Sequence, residues 1–189
     1  RSFRRAGISI VHSQGFHPKM ILSFLPALPL GMEGKEEMLE FKSYYFFNKK
    51  KFLKRINKYL PSGLEFIDLE KIKKSKFTLN KNIKTFVYSL DLNNEEVKKA
   101  IGSVLGKEKL FSPDYFEILD KRIEEYLVQK KEEVIEKIYI ERKINKLFIH
   151  INFYQQKQIR PHEIVKDLLP IDNPVFSMAR EKTFMNELN

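Results

Sequence analysis

Residues 12–20 read HSQGFHPKM and place two histidines, a serine, a glutamine and a lysine within one short stretch. Three kinds of chemistry are open to such a set. As a ligand loop, Ser13 and Gln14 supply hydrogen bonds while His17 and Lys19 hold phosphate, with Arg4 and Arg5 close by in sequence. As a catalytic loop, His12 and His17 form a general acid–base pair for attack of a ribose 2′-hydroxyl on the neighbouring phosphate, and Lys19 stabilises the developing charge. Imidazole suits that task because its pKa lies near neutrality. As backbone punctuation, Gly15 supplies a conformation that other residues avoid, Phe16 anchors the loop in the core, and Pro18 fixes the exit of the chain.

Other chemistries find little support. The 189 residues contain no cysteine, which removes disulfides, thiolate nucleophiles, thiolate zinc sites and cysteine-held iron–sulfur clusters. The four histidines, His12, His17, His150 and His162, fall in separate elements without HxH or HExxH spacing, so no metal is expected. His150 alternates within a strand pattern and reads as a packed residue, and His162 in a first helical turn reads as solvent-facing. Glu33, Glu36, Glu37 and Glu40 follow Gly31 in what reads as a solvated charged turn. No GxGxxG, P-loop or GxSxG pattern occurs, and no cofactor is expected.

Charge is the stronger signal. The formal net charge is +10, and residues 1–80 carry 16 Lys/Arg against 7 Asp/Glu while the remainder is close to neutral. A clustered positive field attracts polyanions by steering and counterion release. The densest positive stretch is the helix pattern of residues 49–60, where Lys49, Lys50, Lys51, Lys54, Arg55 and Lys58 lie opposite the apolar stripe Phe52, Leu53, Ile56 and Leu60. Lys71, Lys73, Lys74 and Lys76 follow. Tyr44, Tyr45, Phe46 and Phe47 immediately precede the helix, either as sheet core or as rings on which RNA bases stack.

The elements that must position these residues follow from periodicity. Residues 1–6 read as the end of a helix stopped by Gly7, which implies a preceding strand that this chain lacks. Residues 8–12, 20–24, 38–47 and 64–70 read as strands, with Asn48 capping the basic helix. Residues 71–84 read as a linker or exposed arm. Beyond it, 85–92 reads as a strand and 95–105 as a helix capped by Asn94 and ended by Gly106, followed by an irregular stretch around Ser112 and Pro113. Residues 125–131, 135–142 and 146–153 read as strands, 160–169 as a helix with Pro161 at its first position, and 175–178 as a closing edge strand. The expectation is an α+β chain of two tandem ferredoxin-like (β-α-β-β-α-β) halves, at residues 1–70 and 85–189, the first lacking its N-terminal strand. The longest apolar run, residues 20–30, is too short and too rich in proline to span a membrane, and no secretory leader is visible, so a cytoplasmic protein with no membrane partner is expected.

RRAGISIVHSQGFHPKMILSFLPALPLGMEGKEEMLEF, residues 4–41, resembles the signature of the radical SAM-linked protein family, uncharacterised bacterial proteins encoded beside or fused to a radical SAM protein. Fainter similarity continues in Leu60 to Gly63, Arg160 to Glu163 and the Arg180–Glu181 pair. The chain departs from that pattern at His12, where an aromatic residue is usual, and at His17, where asparagine is usual. The resemblance implies a radical SAM protein as partner, and the absence of cysteine implies that this chain is not itself the radical SAM enzyme. The expected function is a non-catalytic partner that binds RNA or a ribonucleoprotein substrate, with Arg4, Arg5, Ser13, Gln14, His17, Lys19, Lys50, Lys54 and Arg55 as contact residues. The alternatives are a metal-independent endoribonuclease using His12, His17 and Lys19, or a pure protein-interaction module docking through the PALPLG segment, residues 26–31. Tandem ferredoxin-like halves are similar to the repeat-processing endoribonucleases of CRISPR systems at the level of fold alone.

Overall fold

A computed structural model describes residues 1–72, 78–105, 114–130, 134–153, 160–169, 171 and 173–186. The expected helix stop at Gly106, the stretch around Ser112 and Pro113, and the lysines 73, 74 and 76 lie outside these residues. The described chain is α+β, with two sheets and five α-helices, and it divides into two compact units.

The first unit comprises Arg1–Leu25 and Met38–Lys81. Helix α1 (Ser2–Arg5) ends in a Schellman turn: the Ile8 amide reaches the Phe3 carbonyl and the Gly7 amide that of Arg4, both at 2.9 Å, with Gly7 at φ +60°. Strand β1 (Leu22–Phe24) pairs antiparallel with a strand at Leu39–Phe41, which is the third strand in chain order, β3. Residues 8–12 run extended beside both, with the Val11 amide bonding the Lys42 carbonyl at 2.8 Å, but form only the isolated bridges Ile10 to Ser43 and His12 to Met20. Helix α2 (Lys49–Ile56) starts where expected, its Lys51 amide donating to Asn48 Oδ1 at 3.1 Å. Phe52 and Ile56 of its apolar face close a core with Phe3, Ala6, Ile8 and Ile10.

Besides residues 8–12, expected as a strand, two further expected strands of this unit are corrected. Strand β3 stops at Phe41 because the chain bends at Tyr44 and Tyr45, and residues 64–70 form no strand because Asn57, not a neighbouring strand, takes the Phe66 backbone. The Asn57 side chain accepts from the Phe66 amide at 2.9 Å and donates to its carbonyl at 3.0 Å.

The second unit comprises Pro26–Glu37 and Asn82–Asn189. Strands β2 (Glu33–Gly34), β4 (Ile83–Asp91), β5 (Ile135–Glu141), β6 (Lys146–Asn152) and β7 (Met178–Met185) form one sheet in the order β2-β7-β4-β6-β5. All neighbours are antiparallel except β2 and β7. Helices α3 (Glu95–Leu105) and α4 (Asp114–Lys130) connect β4 to β5, and α5 (Pro161–Leu168) connects β6 to β7. The β5–β6 hairpin turns at Asn145, whose φ of 55° is one that asparagine tolerates.

Three expectations for this unit are corrected. Residues 125–130, expected as a strand, are helical and belong to α4: Tyr115, Leu119 and Ile123 recur at helical spacing and are buried, whereas Val128 is on the outer face. The closing strand is β7, which starts at Met178 after a 3₁₀ turn over Pro174–Ser177 and lies inside the sheet. The charged turn after Gly31 is an edge strand: Glu33 and Gly34 pair with Ala179 and Arg180, a contact too distant in sequence for local pattern to reveal.

Candidate functional site

The stretch that opens with His12 folds as a small hairpin. The Ser13 amide bonds the Lys19 carbonyl at 2.7 Å, and the Lys19 amide returns to Ser13 Oγ at 3.0 Å, so Ser13 closes the loop and Gln14 to Pro18 form its tip. Gly15 at the apex has φ +128°, a conformation that side chains disfavour, as expected of backbone punctuation. Phe16 does not anchor the loop in the core: it is 100% exposed, its ring edge-on to His17 at 6.2 Å between centroids. No described element arrives to cover the ring, so the polar closure by Ser13 holds the loop instead. Ser13, Gln14, His17 and Lys19 are all exposed, while His12 is half-buried at the base beside Met20. No hydrogen bond joins His12 to His17 among the described residues.

Six basic residues of this unit lie on the outward face of α2 or just after it. Lys49, Lys50, Lys51, Lys54, Arg55 and Lys58 are exposed. Lys49 pairs with Asp68, whereas among the described residues no carboxylate pairs with Lys50, Lys51, Lys54, Arg55 or Lys58. Burial of Phe52 and Ile56 fixes the rotation of the helix and hence the direction of these cations. Arg55 packs against Gly7, where a Cβ would run into its guanidinium, and so lies beside the turn that follows Arg4 and Arg5. Arg4 and Arg5 are exposed in the last turn of α1, where the helix dipole favours positive charge. The unit thus brings Arg4, Arg5 and Arg55 to one neighbourhood. Tyr44, Tyr45 and Phe46 are exposed, and Phe47 packs on Phe52 with centroids 5.3 Å apart.

The second unit holds a charged cluster that sequence reasoning passed over. Arg180 is 1% exposed, and its guanidinium donates to both carboxylate oxygens of Glu37, with Nε to Oε1 at 2.6 Å, and from Nη2 to the Pro26 carbonyl at 3.0 Å. It lies over the Phe86 ring at 4.9 Å. Burial opposes its charge, but the hydrogen bonds to Glu37 and the neighbouring Tyr88 hydroxyl outweigh burial and hold its pKa above the ordinary value. Burial pushes the Tyr88 hydroxyl up in turn. Next to it Glu181 accepts from Ser89 Oγ at 2.6 Å and Lys146 Nζ at 2.7 Å. Burial raises the Glu181 carboxyl, yet these two donors bring it below the usual range. The signals were present in sequence, an Arg–Glu pair and an acidic turn, but nothing local joined them.

The remaining histidines are packing residues here. His150 is buried beside Tyr139, and burial, then the Lys137 charge, lowers its pKa. His162 is half-buried, not solvent-facing as expected, because its Nδ1 turns inward at the start of α5; burial lowers its pKa as well. Among the described residues no three of His, Asp and Glu come together in a way that could hold a metal ion, and no helix is long and apolar enough to cross a membrane. A recess of about 10 Å³ bounded by Leu119, Ile123, Leu147 and Leu168 is a packing gap, far below the several hundred Å³ of a small-molecule pocket.

Comparison with known proteins found no match among curated proteins and none among solved structures. A family model does match, over residues 1–161, which include the hairpin, the basic helix and the PALPLG segment. The chain therefore belongs to the family described as uncharacterized protein conserved in bacteria, DUF2344.

Proposed function

We propose that this chain is a non-catalytic binding protein that engages RNA or a ribonucleoprotein through its first unit, in company with a radical SAM protein. The observation that carries the RNA component is the row of exposed cations on and just after α2, Lys50, Lys51, Lys54, Arg55 and Lys58, unpaired among the described residues. They stand on a half of the chain that holds 16 basic residues against 7 acidic ones. Such a row neutralises phosphates without reading sequence. His17 and Lys19, exposed on the hairpin, are further phosphate contacts in this reading. The radical SAM partnership rests on the resemblance of residues 4–41 alone.

The reading includes two ferredoxin-like halves. Support comes from the second half alone, in the antiparallel order β7-β4-β6-β5 with helices in the β4–β5 and β6–β7 connections, which is the order of a β-α-β-β-α-β chain.

The test is a filter-binding titration against RNA from about 50 to 200 mM salt. Affinity should fall steeply with salt, and the triple variant Lys50→Glu, Lys54→Glu, Arg55→Glu should bind far more weakly. Each cation contributes about 0.7 to the salt slope on a single strand, so the triple variant should flatten it by about 2. No affinity at about 50 mM salt would end the RNA reading.

A protein-interaction module is a second reading, favoured by the complete exposure of Phe16 and the 96% exposure of Leu30 within PALPLG. It expects a radical SAM protein to be retained on the chain from RNase-treated lysate and to be lost with Phe16→Ala or Leu30→Ala.

A further inference from the structure

The chain between β3 and α2 is exposed in an unusual manner. Tyr44, Tyr45 and Phe46 are 66%, 71% and 82% exposed, three consecutive aromatic rings facing solvent where Phe47, the next residue, enters the core. This is not a frayed loop. On its N-terminal side Ser43 bridges Ile10, its Oγ donates to the Ser9 carbonyl at 3.0 Å, and it accepts the Tyr45 amide at 3.2 Å. On its C-terminal side Phe47 packs against Phe41 and Phe52, and Asn48 caps α2. Both ends are fastened, so the rings are held outward by the fold at a cost in apolar exposure that packing does not recover.

One cation touches the rings and others follow them in the chain. Lys71 Nζ lies 3.8 Å from the centroid of the Phe46 ring. The first turn of α2 follows directly, with Lys49, Lys50 and Lys51 and no acidic residue, although the helix dipole favours carboxylates there. Positive charge is thus placed beside the rings against the preference of the helix itself.

We propose that Tyr44, Tyr45 and Phe46 form a stacking platform for unpaired bases, with Lys50, Lys51 and Lys71 taking the adjoining phosphates, so that the RNA is bound as a single strand. This rests on the RNA reading above and specifies the class of RNA. Flat rings beside cations match the alternation of base and phosphate along a strand, whereas a duplex keeps its base faces stacked on one another and offers the rings nothing.

The test is fluorescence anisotropy with an unstructured RNA of about 12 nucleotides, compared with a duplex of the same length; that length is of the order of the known site sizes for single strands. Tyr45→Ala and Phe46→Ala should each weaken single-strand binding by about tenfold while leaving the salt slope unchanged, and Phe46→Trp should retain it. The duplex should bind more weakly and ignore the ring variants. Duplex binding equal to or tighter than single-strand binding overturns the proposal. If the ring variants bind like the parent while the charge-reversed helix does not, stacking is overturned and the cation reading stands. If the parent binds neither RNA, both fall. A lower melting temperature for either alanine variant would mark the rings as packing residues and also overturn it.

Discussion

The guanidinium of Arg180 is paired with the carboxylate of Glu37, a residue 143 positions earlier, and the same guanidinium holds the carbonyl of Pro26. Pro26 and Glu37 are the first and last residues of the segment that the second unit takes from within the first. One buried side chain therefore fastens both ends of Pro26–Glu37, and between them Glu33 and Gly34 add a strand to β7. The join depends on a buried charge. An uncompensated guanidinium in the interior is among the more costly defects a fold can carry.

Glu37→Gln should therefore destabilise the protein by about 2 to 3 kcal/mol, below the usual range for breaking a buried pair because the Glu37 side chain is 38% exposed. Removing both charges, with Arg180→Met and Glu37→Met, should recover part of that loss. Chemical denaturation of the three proteins measures it. A double variant less stable than Glu37→Gln would show that the guanidinium contributes beyond its pairing, through Pro26 and Phe86.

Much of what sequence periodicity shows is local. Helix α2, its Asn48 cap, the Gly7 stop and α5 with its leading Pro161 were legible because each depends on residues within a turn or two. The misread elements depend on distant partners. Residues 125–130 hold a short apolar run, Tyr126 to Val128, that fits a strand as well as a helix, and the burial of Tyr115, Leu119 and Ile123 on one side of α4 decides for helix. Turn chemistry around Gly31 and Gly34 could not place Glu33 and Gly34 beside Ala179 and Arg180.

The same limit applied to the site. The cations on α2 were legible as the polar face of an amphipathic helix. Whether Phe16 and the rings at 44–46 were core or surface was not, since aromatic side chains serve either, and burial is set by whether another element arrives to cover them. Among the described residues none does, and Phe16 is fully exposed.

Gly15 and Gly7 separate two reasons for glycine. At Gly15 a Cβ meets nothing within 4 Å, so Gly15→Ala should cost about 1 kcal/mol from its positive φ alone. Gly7→Ala should cost a similar amount and in addition displace the Arg55 guanidinium. Thermal melts should show comparable losses for the two, while RNA affinity should fall only for Gly7→Ala. Equal affinity for both would remove Arg55 from the interface.

Acid should weaken the fold through His150. Its pKa lies below the ordinary 6.5 because of burial and then Lys137, so the unfolded chain binds a proton at a pH where the folded chain does not. The stability this contributes is complete above about pH 6.5 and is lost as the pH falls through the folded value. His150→Phe should flatten the decline in melting temperature between about pH 7 and pH 5, with His162 supplying what remains. Glu181, also lowered, is lost only at more acidic pH and does not confuse this window. Identical slopes for parent and variant would contradict the assignment.

The histidines of the opening stretch decide between binding and cleavage. A general acid–base pair must reach one phosphate from both sides, yet His12 is half-buried in a bridge with Met20 while His17 stands exposed at the hairpin tip, with no hydrogen bond joining them among the described residues. The expected outcome is that the parent chain does not cleave RNA in the presence of a chelator. His17→Ala and Lys19→Ala should each weaken RNA binding by a few-fold without changing the melting temperature, since both side chains are exposed, and His12→Ala should affect stability more than binding. Gel analysis of labelled RNA incubated with each protein is the check. Cleavage by the parent that is lost in both His12→Ala and His17→Ala would reverse the order of the readings and make the hairpin an active site.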